Sequence, residues 1–341
     1  MERLGDGVRE RLLATRLTAR RRSMLLGLGL NDADLRRLLR NRHLQHHHGH
    51  YLAAAVDDEI ARIVCAQAAY PGSVVSHFSA ARLAGVRTWI DARRPSGPSE
   101  GAVWLTRPPA AKRNQRRPDI VVRRAGLTPA DLSRHRDLPV TSAARTVVDL
   151  ARELPLREAI VSIDHALAIG TTPAELDAVV ERQHRWPGIG RARASIGFGD
   201  PRSESALESI VRAAFAAAGL PAPVLQAQFF DGVAWMPERV DFWWPTYRTV
   251  AEADGLAKFE ADSAAERRRL LRRSHRRDQR LSDRGIELVH FGWEDAVDPR
   301  SDLFARLRAA FHRGEARSGE PPTWRAPHPT PTTPHAAPHA A

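Results

Sequence analysis

The chain is short of cysteine, of lysine and of long apolar runs, and each shortage excludes something. Cys65 is the one cysteine in 341 residues, so neither an intramolecular disulfide nor a cysteine-built zinc site can form. Its neighbours Ile63, Val64 and Ala66 mark it as a buried structural thiol. No stretch approaches the roughly twenty apolar residues that cross a bilayer, and residues 1–6 lack the apolar core of a signal peptide. A reducing cytoplasm, with no membrane partner, is the expected setting. Of the 52 basic side chains only Lys112 and Lys258 are lysine, the others being arginine. That bias is of the kind a GC-rich genome imposes.

What is abundant is positive charge. A net charge of +12 and a pI of about 11.1 favour a polyanionic partner, and guanidinium forks suit phosphate. Hydrophobic content of 43% and charged content of 27% are ordinary for a globular protein, long enough here for two or three cores. The order of elements reads as a multi-domain α/β protein.

Residues 1–52 read as a helical unit with a β wing. Thr18 caps a short helix that Gly27 and Gly29 end. Asn31 caps a second, with Asp32 and Asp34 in its first turn. Leu35, Leu38 and Leu39 form its buried side, and Arg36, Arg37 and Arg40 its basic side. Residues 44–52 read as an extended pair turning at Gly49. There His46, His48 and His50 would share a strand face, which a solvated wing explains better than a zinc or nickel site.

Residues 53–200 read as a separate α/β region, with helices over 57–69, 79–85 and 143–183 and strands over 74–75, 103–106 and 120–123. Ser76 and His77 are adjacent without any spacing that demands catalysis, and Arg145 with Asp149 is a simple helical i,i+4 pair. Residues 201–312 form a third region. The tail, 313–341, has almost no large apolar groups and is expected to be disordered.

The most informative stretch lies in the third region. Two apolar runs, 240–244 and 249–253, flank Pro245. A hairpin with loop 245–248 places Asp241 opposite Glu252, with Asp254 on the same face. Three carboxylates so placed repel one another unless compensated. A divalent cation compensates them, and hard oxygen ligands suit Mg²⁺ or Mn²⁺. A one-residue slip would leave a plain solvated face instead. Lys258, just beyond, reads either as a surface lysine or as a group that orients water or neutralises a phosphate. A basic helix follows over 262–284. In it Leu270, Leu271 and Leu281 are the buried side, and Arg273, Arg277 and Arg280 the stripe placed for nucleic-acid backbone contact. Asp278 has no helical ion-pair partner and reads as solvated.

The order helix, hairpin, basic helix, strand, with Val-Asp on one strand and Glu-x-Asp-Gly on the next, resembles the PD-(D/E)XK nuclease superfamily. The branch it resembles is the one related to very-short-patch-repair endonucleases. The resemblance implies a restriction-endonuclease-like domain in which Asp241 and Glu252 are catalytic and hold Mg²⁺ (or Mn²⁺) for phosphodiester hydrolysis. Asp254 stands where that superfamily usually has lysine, and Lys258 is the substitute. Glu208 matches a further metal-binding carboxylate, although Ser205-x-x-Glu208 is also a capping box. Helix, turn, basic helix and wing in residues 1–52 resemble the winged helix-turn-helix of type IV abortive-infection antitoxins. This second resemblance implies DNA contact through Arg36, Arg37 and Arg40, and a cognate toxin or defence-system protein as partner. Two functions stay open: a metal-dependent endonuclease that nicks or cleaves DNA, and a non-catalytic DNA-binding regulator or antitoxin-like protein.

Overall fold

The computed structural model describes residues 18–94, 101–110, 115–116, 119–254, 263–298 and 300–327. Lys112 and Lys258 lie outside them. The protein is a multi-domain α/β chain with two compact units, Met1–Val86 with Ile90–Leu150, and Arg87–Trp89 with Ala151–Ala341.

The first unit begins with β1 (Arg20–Arg21), α1 (Arg22–Gly27), α2 (Asp32–Arg40), β2 (Leu44–His47) and β3 (His50–Ala53). Asn31 caps α2 as expected: its side chain accepts from the Asp34 amide, and Asp34 accepts from the Asn31 amide. Thr18 does not cap α1. Arg20 and Arg21 pair with Tyr51 and His50, so the backbone after Thr18 is held extended and the helix starts at Arg22. Leu25, Leu35, Leu38 and Leu44 form a small core beneath the two helices. The β2–β3 pair reverses at His48 and Gly49, both at positive φ (50° and 75°), as a two-residue hairpin requires. This reversal separates the histidines. His47 and His48 lie 3.3 and 3.4 Å from Asp58 and Asp119, while His50 is buried.

The same unit continues through α3 (Asp58–Ala69), β4 (Val74–Val75), α4 (His77–Leu83), β5 (Val103–Arg107), β6 (Gln115–Arg116), β7 (Ile120–Arg124), β8 (Leu132–His135), β9 (Leu138–Thr141) and α5 (Ala143–Glu153). Its mixed sheet has the order β6-β7-β5-β4-β9-β8. Ile63, Val64, Cys65, Leu105, Val122 and Leu52 of the wing share one core, and burial there pushes the Cys65 thiol up to about 11. Arg145 and Asp149 are more than a surface helical pair. Both are buried, 2.7 Å apart, and Arg145 also reaches Asp131 at 3.3 Å and the Gly126 carbonyl. Helical spacing revealed the pair but not the loop that covers it.

The second unit opens with α6 (Leu156–Ala168), α7 (Pro173–Arg182), α8 (Ile189–Gly197) and α9 (Ala206–Ala217). A buried ion pair ties α6 to α9: Arg212 donates from Nη2 to both Asp164 carboxylate oxygens at 2.8 Å. Next come β10 (Val224–Phe230), β11 (Trp235–Trp244), β12 (Thr249–Ala253), α10 (Ala264–Ser282), β13 (Glu287–Phe291), α11 (Trp293–Val297), α12 (Leu303–Glu315) and β14 (Trp324–Arg325). The sheet order is β13-β12-β11-β10-β14, antiparallel except for β12 with β13.

Period-two alternation divides the aromatics of β11. Phe242 and Trp244 pack edge-on against Phe215 of α9. Trp243, on the opposite face, joins Phe229, Val250 and Leu281 of α10. Disorder from residue 313 onward is corrected as far as residue 327. The helix runs to Glu315, and Phe229 and Gln228 pair with Trp324 and Arg325. Arg325 donates to the Gln228 side chain and lies over the Trp235 ring. One short strand on an open sheet edge orders the segment despite its composition.

Candidate functional site

The site grows out of the β11–β12 hairpin. Phe242 pairs with Ala251, Trp243 with Val250 and Trp244 with Thr249, which is the expected register. The chain reverses through a 3₁₀ turn at Pro245–Tyr247 and a left-handed Arg248 (φ 41°). Two residues on from Trp243 and Val250, Asp241 and Glu252 emerge on the sheet face that carries α10. The Ala253 amide donates to Asp241 Oδ2 at 2.7 Å and pins that carboxylate to the opposite strand.

Two further groups converge from other elements. Glu208, in the first turn of α9, accepts from the Glu204 amide at 2.9 Å and from Gln226 Nε2 at 3.2 Å. Ser205 caps the helix by accepting from the Glu208 amide. The glutamate therefore belongs to the helix end and to the site at once. Gln226 of β10 is buried, its Nε2 also 3.5 Å from Asp241 Oδ1, and its backbone sits at φ 55°. A non-glycine residue held there stores strain that surrounding structure must impose. In return its amide lies between two carboxylates.

All three acids hold protons above their ordinary range. Burial, then the neighbouring charge of Asp241, pushes Glu252 up to about 8 against the pull of Arg277. Burial and Asp241 likewise push Glu208 up to about 7. Asp241 is raised by burial, with the Ala253 amide and Arg277 opposing. Burial is the largest cause for each, and the neighbouring Asp241 adds to it for the two glutamates.

The cation that enters is Arg277 of α10, whose Nη2 lies 2.8 Å from Glu252 Oε2. The contact is single-pronged. Glu252 Oε1, Arg277 Nε and Asp278 Oδ1 are all buried without a hydrogen-bond partner among the described residues. Asp278 is not simply solvated: His290 of β13 places Nε2 3.2 Å from it and Nδ1 3.4 Å from Asp254. The parallel register sets His290 beside Glu252, so a β13 side chain joins the two acids. Glu238, Asp241, Glu252, Asp254, Arg273 and Arg277 line a cleft of about 340 Å³. Arg273 also lines a larger neighbouring hollow with Arg268, Arg269, Arg272, Arg276 and Arg280.

The hairpin thus brings Asp241, Glu252 and Asp254 together, and α9 adds Glu208. Of the arginine stripe, Arg273 is largely exposed, Arg280 pairs with Glu238 at 3.2 Å and Arg277 turns inward. Leu281 is buried; the side chains of Leu270 and Leu271, like Lys258, lie outside the described residues. Arg36, Arg37 and Arg40 are exposed on α2, with Arg37 bonded to Asp34 at 2.9 Å. Gln226, His290 and Glu238 were not anticipated. Each is a polar residue within a β-strand of the same sheet, and that is the only local signal they leave.

The donor set is hard oxygen, which suits Mg²⁺ or Mn²⁺, and the orphaned Glu252 Oε1 is a buried acceptor of the kind a cation satisfies. The donor types suit a cation, but among the described residues no group of three or more His, Cys, Asp or Glu is arranged to hold a metal ion. Among the described residues, no helix is long and apolar enough to cross a membrane.

The chain is 33% identical over 180 residues to two uncharacterized proteins of Mycobacterium tuberculosis, from two strains. The match covers 52% of this chain and 62% of theirs, so the chain spans less than two thirds of these relatives' length. Residues 74–195, from β4 into α8, match the family described as the AbiEi antitoxin C-terminal domain.

Proposed function

We propose that the chain is a DNA-binding, antitoxin-like regulator that grips the phosphate backbone with the arginine face of α10. The observation that carries this reading is the hollow lined by Arg268, Arg269, Arg272, Arg273, Arg276 and Arg280. Six guanidinium groups along one side of a single helix, in a chain of net charge +12, form the electrostatic footprint of a nucleic-acid binder. The likeness of residues 74–195 to an antitoxin domain supports the regulatory part of the reading. It also makes a cognate toxin the partner to look for. Arg36, Arg37 and Arg40 give α2 a basic face of its own. Fluorescence anisotropy with duplex DNA tests the proposal. Binding should weaken steeply with salt, and Arg269→Ala with Arg272→Ala should lower affinity and flatten the salt slope. Salt-independent or absent binding would refute it.

A second reading is favoured by the orphaned Glu252 oxygen beside Asp241 and Glu208: hydrolysis of a phosphodiester with Mg²⁺ or Mn²⁺. Asp241 and Glu252 would hold the metal, with Glu208 or Asp254 beside them. The metal would supply an activated water and charge neutralisation. Supercoiled plasmid incubated with Mn²⁺ separates the readings. Nicking lost in Asp241→Ala and Glu252→Ala, with DNA binding retained, makes the protein a nuclease; intact plasmid throughout leaves the regulator.

A further inference from the structure

Arg277 and Glu252 form a pair through a single contact. A guanidinium normally meets a carboxylate through two parallel bonds. Here one contact is made, Nη2 to Oε2 at 2.8 Å. Arg277 Nε is 3.8 Å from Asp278 Oδ1, too far for a hydrogen bond. Three buried polar atoms, Glu252 Oε1, Arg277 Nε and Asp278 Oδ1, are thereby left without partners among the described residues. Native interiors satisfy such atoms with protein groups, ordered water or an ion. Arg277 also lines the wall of the cleft, next to Arg273, which faces the arginine-lined hollow. From that wall the guanidinium can turn to Glu252 or to an anion in the cleft.

We propose that Arg277 is a displaceable partner of Glu252: a nucleic-acid phosphate in the cleft draws the guanidinium away, and the freed side chain then takes a divalent cation with Asp241. The inference rests on the second reading above and goes beyond it by making the two ligands cooperative. Without a polyanion the arginine blocks the cation. With one, Arg277 serves the phosphate and Glu252 serves the cation. Thermodynamic linkage requires the converse as well, so the cation strengthens DNA binding at this site. That sign is opposite to the ordinary screening of phosphate contacts by added salt.

The test measures Mn²⁺ binding to the full chain by loss of the free-ion electron paramagnetic resonance signal, with and without a short phosphorothioate duplex. Glu252→Gln with the same duplex subtracts Mn²⁺ held by the DNA itself. Wild type should bind Mn²⁺ about tenfold more tightly with the duplex present. Arg277→Met should reach that affinity without DNA and gain little from adding it, while Arg277→Lys, which keeps the charge, should behave more like wild type. Equal Mn²⁺ affinity with and without duplex in wild type overturns the proposal and leaves the cation site standing. Mn²⁺ binding in no form of the protein overturns both. If Arg277→Met does not fold, the wild-type comparison still decides.

Discussion

Gln226 donates from Nε2 to Glu208 Oε2 across 3.2 Å, from a backbone held at φ 55°. This bond joins β10 to the first turn of α9 and sets an amide against two carboxylates that would otherwise repel. The conformation is costly for any residue with a Cβ, so the position separates two contributions. Gln226→Ala keeps the strain and loses the donor, and is expected to destabilise by about 1–3 kcal/mol. Gln226→Gly loses the donor but relaxes at positive φ, and should cost less than alanine. Urea midpoints of the two variants check this ordering. Equal losses would mean that the position carries no strain.

The hairpin was legible in the sequence because a Pro-containing break of four residues leaves little freedom for the register, and strand alternation then assigns Asp241 and Glu252 to one face. The extent of α10 was legible for a related reason: a long charged segment with a leucine side can be little else than a partly exposed helix. His290 and Gln226 were not, because their roles arise where β13 and β10 lie beside the hairpin, which no local pattern encodes. The same limit explains Arg145, whose i,i+4 spacing to Asp149 is plain while its burial against Asp131 is a tertiary fact. It explains β14 too, where two residues of a polar tail are ordered by a sheet edge far back in the chain.

The pair Asp164–Arg212 predicts a large mutational cost. Asp164 is buried, accepts two bonds from Arg212 Nη2 and one from the Asp200 amide, and stands on a different helix from its partner. Asp164→Ala leaves a guanidinium buried without its counter-charge, a loss of about 3–5 kcal/mol. Removing both charges with Asp164→Leu and Arg212→Leu should recover part of that loss, since an apolar pair of similar volume does not strand a charge. Chemical denaturation of Asp164→Ala, the two single leucine variants and the double leucine variant measures it; additivity of the two single leucine losses would show that the two groups do not depend on one another.

Gly314 predicts the opposite sign from helix propensity. Alanine is favoured over glycine inside a helix by about 1 kcal/mol. A methyl group at Gly314, however, would overlap the Tyr247 carbonyl, and α12 is fixed there by Phe311 stacked on Tyr247 at 4.4 Å. The backbone of the hairpin loop cannot yield as a flexible side chain would. Gly314→Ala should therefore lower stability by about 1–3 kcal/mol, while Gly190→Ala in α8, where nothing lies within 4 Å, should be neutral or stabilising. Thermal melts of the two variants give the comparison.

The buried acids predict how stability depends on pH. Glu252 keeps its proton up to about 8 in the folded protein, against 4.5 for an ordinary glutamate, and Glu208 up to about 7. Between those limits the folded chain binds more protons than the unfolded one, so raising the pH favours unfolding. The contribution is fully present below about 4.5 and is lost as the pH rises through about 8, at up to about 1.4 kcal/mol per pH unit for a single group. Burial lowers the proton affinity of His47, His48 and His165, an effect of opposite sign that acts on the acid side of 6.5 and is common to wild type and variant. Glu252→Gln is neutral at every pH, so the stability of the variant relative to wild type should rise steadily from pH 6 to pH 8 in metal-free buffer. Urea unfolding at several pH values measures the difference directly. A difference that stays flat would mean that Glu252 is already ionised at neutral pH, with Arg277 compensating its charge in full.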